Sequence, residues 1–188
     1  LASTILLDGS AYIGNLPHLQ DITTKLELLN SMGSSINFHE DGFIEINSSN
    51  ILLPEARYEL VKTMRASILV MGPLVARYGK AKISQPGGCD IGTRPIDFHL
   101  SGLEKMGAEI TSDSRYIYLK AKKLNPIDFS FPKVSVTGTE NLMMAATLID
   151  GTTTLKNCAK EPEVLELANY LNSCGAKISG AGESEIEI

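Results

Sequence analysis

Long apolar runs are missing from this 188-residue sequence, and so is any excess of positive charge. A membrane-spanning helix needs roughly 20 consecutive apolar residues; no stretch supplies them, so no membrane partner is expected. Seventeen Lys and Arg stand against 22 Asp and Glu, a net charge of −5. Broad nucleic-acid binding needs a basic face, so no nucleic-acid partner is expected, although a local basic pocket for an anionic metabolite remains open. Cysteine is scarce: Cys89, Cys158 and Cys174, an odd number with no CxxC pair. That excludes a disulfide framework and fits a reducing cytoplasm. His18, His39 and His99 lie far apart in sequence, so no metal site is expected. A Walker loop is absent, and GGCDIG lacks the spacing and strand-to-helix context of a dinucleotide fingerprint; no cofactor is expected. The opening LASTILLDGS is apolar but has no basic n-region and no convincing cleavage site. It also lacks an initiator Met, which leads us to expect that it begins inside a longer chain.

What is present is an ordinary globular composition, 43% hydrophobic and 21% charged, in a chain long enough for one core. The sequence repeats itself. In the stretches from Leu1 and from Met144, Gly9 matches Gly151, Gly33 matches Gly175 and Ile44 matches Ile186 without a gap. Tyr78-Gly79, LSGLEKMGAEI ending its helix on Gly107, and YIYL mark a third copy, lengthened around PGGCDIG. We read one domain of three βα-type repeats, about 1–50, 51–121 and 122–188. Each unit runs from an apolar, buried helix to a strand, then an amphipathic helix closed by Gly, then short strands. The amphipathic steps are Leu19, Ile22, Leu26 and Leu29 in one copy and Val164, Leu167, Ala168 and Leu171 in another. Gly72-Pro73 is expected to kink or split the middle apolar helix. AKISG is expected to pair with EIEI as a strand.

The inserted loop QPGGCDIGTRPID is the strongest candidate for chemistry, because sites are built on loops held by a rigid scaffold. Gly87 and Gly88 let the chain bend at Cys89, and Arg94 could lower the pKa of its thiol. The thiol could donate a proton or the thiolate attack carbon; the plainer reading is a small buried hydrophobe. That plainer reading is preferred for Cys158 and Cys174, in apolar repeat positions. Pro95 and Asp97 suit a helix start, and such a start beside Arg94 also suits phosphate or carboxylate. Arg65 interrupts a nearly apolar helix, so it either pairs with a carboxylate or faces a ligand-bearing cleft. Lys62 lies on roughly the same face. FPKVSVTGTENLMMAA opens with a β-like run at Lys133, followed by Thr137-Gly138-Thr139 leading into a helix, with Glu140 favourably near its start. Its bland reading is a capping turn; its functional one is backbone recognition of a ligand along Lys133 to Val136. Glu161-Pro162-Glu163 reads as a helix start.

Taken together, LVKTMRASILVMGPLVARYG, QPGGCDIGTRPIDFHLSGLEKMGA, KVSVTGTENLMMAATLIDGTT and AKEPEVLELANYL resemble the UDP-N-acetylglucosamine enolpyruvyl (1-carboxyvinyl) transferase family over essentially the whole chain. The cysteine loop is specific, since related transferases acting on shikimate phosphate lack it. The resemblance implies an inside-out α/β barrel with three repeats per domain and two domains in the full enzyme. It implies transfer of the enolpyruvyl group of phosphoenolpyruvate to the 3′-hydroxyl of UDP-N-acetylglucosamine, the step that commits the sugar to peptidoglycan in the bacterial cytoplasm. By the same resemblance Cys89 is the proton donor and the residue fosfomycin alkylates, and Arg94 faces substrate phosphate or carboxylate. Arg65, the run Arg94, Pro95, Ile96, Asp97 and Phe98, and the run Lys133, Val134, Ser135 and Val136 hold the sugar nucleotide. A family Lys-Asn pair would lie upstream of Leu1, and a second domain would supply an aspartate base; the fragment alone is therefore expected to be inactive. Two other readings stay open: enolpyruvyl transfer to shikimate phosphate, and a non-catalytic relative that keeps the pocket.

Overall fold

The structure, a computed structural model, describes residues 1–61, 64–85 and 96–188, and the backbone but not the side chain of Arg65. The first unit opens with a buried 3-10 helix, Ala2–Leu6, then β1 (Ser10–Ile13), α1 (Gln20–Met32), β2 (Ser35–Phe38) and β3 (Ile44–Asn47). In α1 the predicted stripe faces inward from Ile22 onward, with Leu26, Leu29 and Met32 buried, but Leu19 is the exposed N-cap, because the chain enters the helix there from an extended conformation. Gly33 ends it at φ 118°, and its N–H bonds back to the Asn30 and Leu29 carbonyls. Only a residue at ease in that left-handed region can close the helix this way.

The second unit carries β4 (Glu55–Ala56), α2 (Tyr58–Val61), a 3-10 helix Arg65–Val70, α3 (Met71–Tyr78), β5 (Lys80–Ser84), α4 (Asp97–Lys105), β6 (Glu109–Ser112) and β7 (Tyr116–Lys120). The apolar stretch is split as Gly72-Pro73 predicts. Pro73 lies in the first turn of α3, where its missing N–H leaves no helical bond unmade. The third unit has β8 (Asp128–Ser130), α5 (Val136–Ala146), β9 (Thr154–Lys156), α6 (Pro162–Ser173) and β10 (Glu185–Glu187). Glu161 caps α6 and Pro162 takes its first position, as expected.

The strands form three separate sheets, ordered β1-β3-β2, β4-β5-β7-β6 and β8-β9-β10. β4 runs parallel to β5 and β8 parallel to β9; the other pairs are antiparallel. The two parallel strands escaped the sequence reading because runs this short show no period of two. AKISG does not form the expected strand. It contributes one isolated bridge, Ser179 to Glu187, and Gly180 and Gly182, at φ 76° and 91°, then turn the chain away.

Burial sets the layers. Ile44 and Ile46 in β3, Ile117 and Leu119 in β7, and Ile186 in β10 point inward, with less buried residues between them. In α5 every residue from Gly138 to Ala146 is buried. A helix apolar on all sides has no solvent face and must lie at the centre. Helix α5 therefore lies inside, with the buried faces of the other helices turned to the core and the sheets outside, an inside-out α/β barrel of three repeats.

Two glycines let neighbouring helices approach α5. A Cβ on Gly72 would overlap the Asn141 carbonyl oxygen and stand 2.5 Å from Asn141 Oδ1; one on Gly102 would overlap the Leu142 side chain. Leu142 can change rotamer, but a backbone carbonyl in a buried helix cannot move aside. Gly72→Ala is therefore expected to cost about 3 kcal/mol, and Gly102→Ala about 1–2 kcal/mol once the helix-propensity gain is counted. Urea unfolding followed by circular dichroism checks this; equal midpoints for Gly72→Ala and the unaltered protein would contradict the packing described.

Candidate functional site at the starts of two helices

Cys89, Arg94, Pro95 and Lys62 lie outside the described residues, as does the Arg65 side chain. The remaining candidates fall at two helix starts and one turn. Ile96 is the N-cap of α4, Asp97 its exposed first residue, and Phe98 half-buried against the core. Lys133 and Val134 are exposed, Ser135 and Val136 half-buried. Ser135 caps α5, its hydroxyl accepting the Gly138 N–H at 3.1 Å.

The segment leading to α5 is pinned at both ends. Phe131 is buried; its N–H bonds to the Lys156 carbonyl at 2.9 Å and its carbonyl accepts Asn157 Nδ2 at 2.8 Å. At the other end Thr139 Oγ1 donates to the Ser135 carbonyl at 2.8 Å and accepts the Ala159 N–H at 3.1 Å. Lys133 and Val134 thus project from a fixed turn rather than a strand, a correction to the β-like run expected there. Beside them Val134, Asn157, Cys158, Lys160, Glu161 and Ser184 line a cleft of about 440 Å³.

The two helix starts meet. Thr137 Oγ1 lies 3.3 Å from His99 Nε2, which joins the first turn of α5 to the first turn of α4. This brings Ile96, Asp97 and Phe98 beside the Ser135–Val136 stretch, 38 residues apart at the contact. Unsatisfied N–H groups at a helix N-terminus favour an anion, and two such ends side by side suit a diphosphate or carboxylate ligand. The Arg65 turn is tied in from below: Asn141 Nδ2 lies 3.4 Å from the Ile68 carbonyl, within the 3-10 helix that Arg65 begins.

Three side chains that organise this region were not among the sequence candidates. Lys25, buried, donates from Nζ to the Ala66 carbonyl at 2.6 Å, directly after Arg65. Its signal was a lysine inside the apolar stripe of α1, between Ile22 and Leu29. Asn141, fully buried, was an amide in a largely apolar helix, and His99 is buried on α4 facing α5. Burial pulls the Lys25 ammonium down to about 7, against the opposing attraction of Asp21 and Glu140. Burial, then the Glu163 carboxylate, pushes Glu140 up to about 7, with Lys25 acting the other way. Glu140 lies beyond the first turn of α5, so the helix-dipole role expected for it does not hold. Nor does Thr137-Gly138-Thr139 precede the helix; it is part of it. Cys158 is buried as expected, and burial raises its thiol to about 11. Cys174 is exposed at the end of α6, contrary to expectation, because the chain turns outward into Gly175 there.

An apolar groove of about 510 Å³ runs between α1 and the β2–β3 hairpin, lined by Leu19, Ile22, Phe38 and Phe43 among others. It contains none of the candidate residues, and its lining offers little charge to hold an anion. Among the described residues no cluster of His, Cys, Asp and Glu could hold a metal ion, and no helix is long and apolar enough to cross a membrane.

A family model described as EPSP synthase (3-phosphoshikimate 1-carboxyvinyltransferase) matches residues 1–188. The chain belongs to this family. Within it, the UDP-N-acetylglucosamine 1-carboxyvinyltransferases of Hydrogenovibrio crunogenus and Halorhodospira halophila are 54% and 52% identical to the chain over all 188 residues. The chain spans 45% of the length of each of these relatives. Among solved structures, the enolpyruvyl transferase NikO from Streptomyces tendae superposes with a TM-score of 0.83 at 19% identity, covering 100% of this chain and 44% of that one. EPSP synthase from Acinetobacter baumannii superposes with a TM-score of 0.74 at 18% identity, with the same coverage. These likenesses confirm the inside-out barrel as the family fold.

The buried lysine gives a pH-dependent stability with a definite sign. Its folded pKa is below its unfolded value, so the folded state carries the cost of a buried charge below pH 7 and is relieved of it as pH rises from about 7 toward 10.5. Lys25→Met removes this term. The stability of Lys25→Met relative to the unaltered protein should be greatest below pH 7 and fall by a few kcal/mol toward pH 10, at ~1.4 kcal/mol per pKa unit. Urea unfolding at pH 6, 8 and 10 measures it; a difference independent of pH would show that Lys25 is not held in a low-dielectric site.

Proposed function

We propose that residues 1–188 form the first of two domains of an enzyme that transfers the enolpyruvyl group of phosphoenolpyruvate to the 3′-hydroxyl of UDP-N-acetylglucosamine. The observation that carries this reading is 50–54% identity, over all 188 residues, to three UDP-N-acetylglucosamine 1-carboxyvinyltransferases. The solved EPSP synthase of Acinetobacter baumannii is only 18% identical to the chain.

In this reading Cys89 protonates the methylene carbon of phosphoenolpyruvate. The sugar 3′-oxygen bonds to the neighbouring carbon as its proton is taken by a base; phosphate then departs with the electrons of its C–O bond, and loss of a proton from the new methyl group to a base restores the double bond. Positive charge develops at the enolpyruvyl carbon after protonation, so excluding water around the acid favours the step. Arg94 holds substrate phosphate or carboxylate, a positioning and electrostatic task. Arg65, Pro95, Ile96, Asp97, Phe98 and Lys133 through Val136 hold the sugar nucleotide. The adjacency of the starts of α4 and α5 supports this, because it places the two runs side by side at helix N-termini, where an anion is favoured. The second domain supplies the base for the sugar hydroxyl, and the enzyme works in the bacterial cytoplasm on the route to peptidoglycan.

The description of the family model favours one other acceptor, 3-phosphoshikimate. Phosphate release by the complete protein, with phosphoenolpyruvate and each acceptor in turn, separates the two. Release is expected with UDP-N-acetylglucosamine only; release with shikimate 3-phosphate alone would overturn the reading. In the complete protein Cys89→Ala should lower turnover at least ~100-fold, the lower range for losing a positioned acid. Full activity in that variant would remove Cys89 from the chemistry.

A further inference from the structure

Asn141 stands where three helices meet, and its orientation is decided by a backbone group. The Gly72 N–H, in the first turn of α3, can only donate, and it lies 2.7 Å from Asn141 Oδ1. That contact fixes the amide, so Nδ2 is the atom 2.8 Å from His99 Nδ1. A donor at Nδ2 requires His99 Nδ1 to accept, which puts the ring proton on Nε2 and aims it at Thr137 Oγ1, 3.3 Å away. One backbone N–H therefore sets an amide, the amide sets a tautomer, and the tautomer selects the partner on α5. His99 is buried, 3% exposed, so water cannot substitute for these contacts.

We propose that His99 is a positioning residue for the sugar nucleotide. It fixes the start of α4 against the start of α5, and so the spacing between Ile96–Phe98 and Lys133–Val136. This rests on the assignment of both segments to the sugar nucleotide made above. The imidazole is buried and reaches Thr137 Oγ1 and Asn141 Nδ2; its role is exerted through Thr137 and through the helix it sits on. Both segments flank this contact: Ile96 accepts the His99 N–H at 3.0 Å, and Val136 directly precedes Thr137. A ligand bridging two short segments depends steeply on their separation, since a displacement of about 1 Å can cost ~100-fold where geometry must match. Phosphoenolpyruvate, held by Cys89 and Arg94 in this reading, does not bridge the two segments, so it depends less on the α4–α5 spacing.

The test is steady-state kinetics of the complete protein with both substrates varied. His99→Leu should raise KM for UDP-N-acetylglucosamine about tenfold or more and leave KM for phosphoenolpyruvate within threefold. His99→Asn, whose Oδ1 can accept from Asn141 Nδ2, should recover most of the loss. A purely structural role would lower the melting temperature and the fraction of active enzyme, leave both KM values unchanged, and overturn the proposal. Should His99→Leu fail to fold, Thr137→Val removes the same link from a half-buried site. It should raise KM for the sugar nucleotide at least threefold, with Thr137→Ser close to the unaltered enzyme; an unchanged KM in Thr137→Val overturns the proposal. An unaltered protein that turns over the sugar nucleotide while the variants match it defeats the positioning role alone. An unaltered protein that does not use the sugar nucleotide defeats the functional reading and this inference together.

Discussion

Helix α5 cannot face water on any side, and the rest of the molecule is arranged around that constraint. From Gly138 to Ala146 it is buried throughout. Three sheets, each with one apolar face, are needed to enclose it and the helices it touches. The closeness of the packing comes from glycine: Gly72 and Gly102 let α3 and α4 approach it to distances no side chain would allow. An interior packed this closely resists compression and transmits displacement, which suits a frame that must hold ligand-binding segments apart at a set distance.

Inside that apolar centre sit a few polar groups whose hydrogen bonds are directional. Asn141 and His99 join three helices, and Lys25 reaches from α1 to the carbonyl after Arg65. Buried polar groups are costly unless satisfied, so each constrains its neighbours to one arrangement. These contacts gather under the segments assigned to ligand binding and not under the apolar groove at the β2–β3 hairpin.

Much of this was legible in the residues. Gly9 and Gly151, Gly33 and Gly175, and the leucine steps of α1 and α6 gave the repeat, because turn glycines and a 3.6-residue period are local properties. Gly72-Pro73 gave the break before α3 for the same reason. What stayed hidden depends on distant parts of the chain. β4 and β8 are too short to carry a period and exist only through parallel pairing with β5 and β9. AKISG has strand composition but meets Glu187 at a single bridge. Glu140 looked like a favourable charge near a helix start, and becomes unfavourable only because the helix is buried and Glu163 is close. His99 looked isolated, because its partners stand 38 and 42 residues away.

Among the described residues the three sheets share no hydrogen-bonded edge. The connection from strand to amphipathic helix runs over residues 14–19 in the first unit and 157–161 in the third, but over 85–96 in the second. Lengthening one connection leaves the ladders of the other two sheets untouched, so a triplicated ancestor could acquire new chemistry in one third of its circumference while inheriting its architecture whole. Threefold likeness in the frame and a longer connection in one unit are, in that light, two outcomes of one modular design.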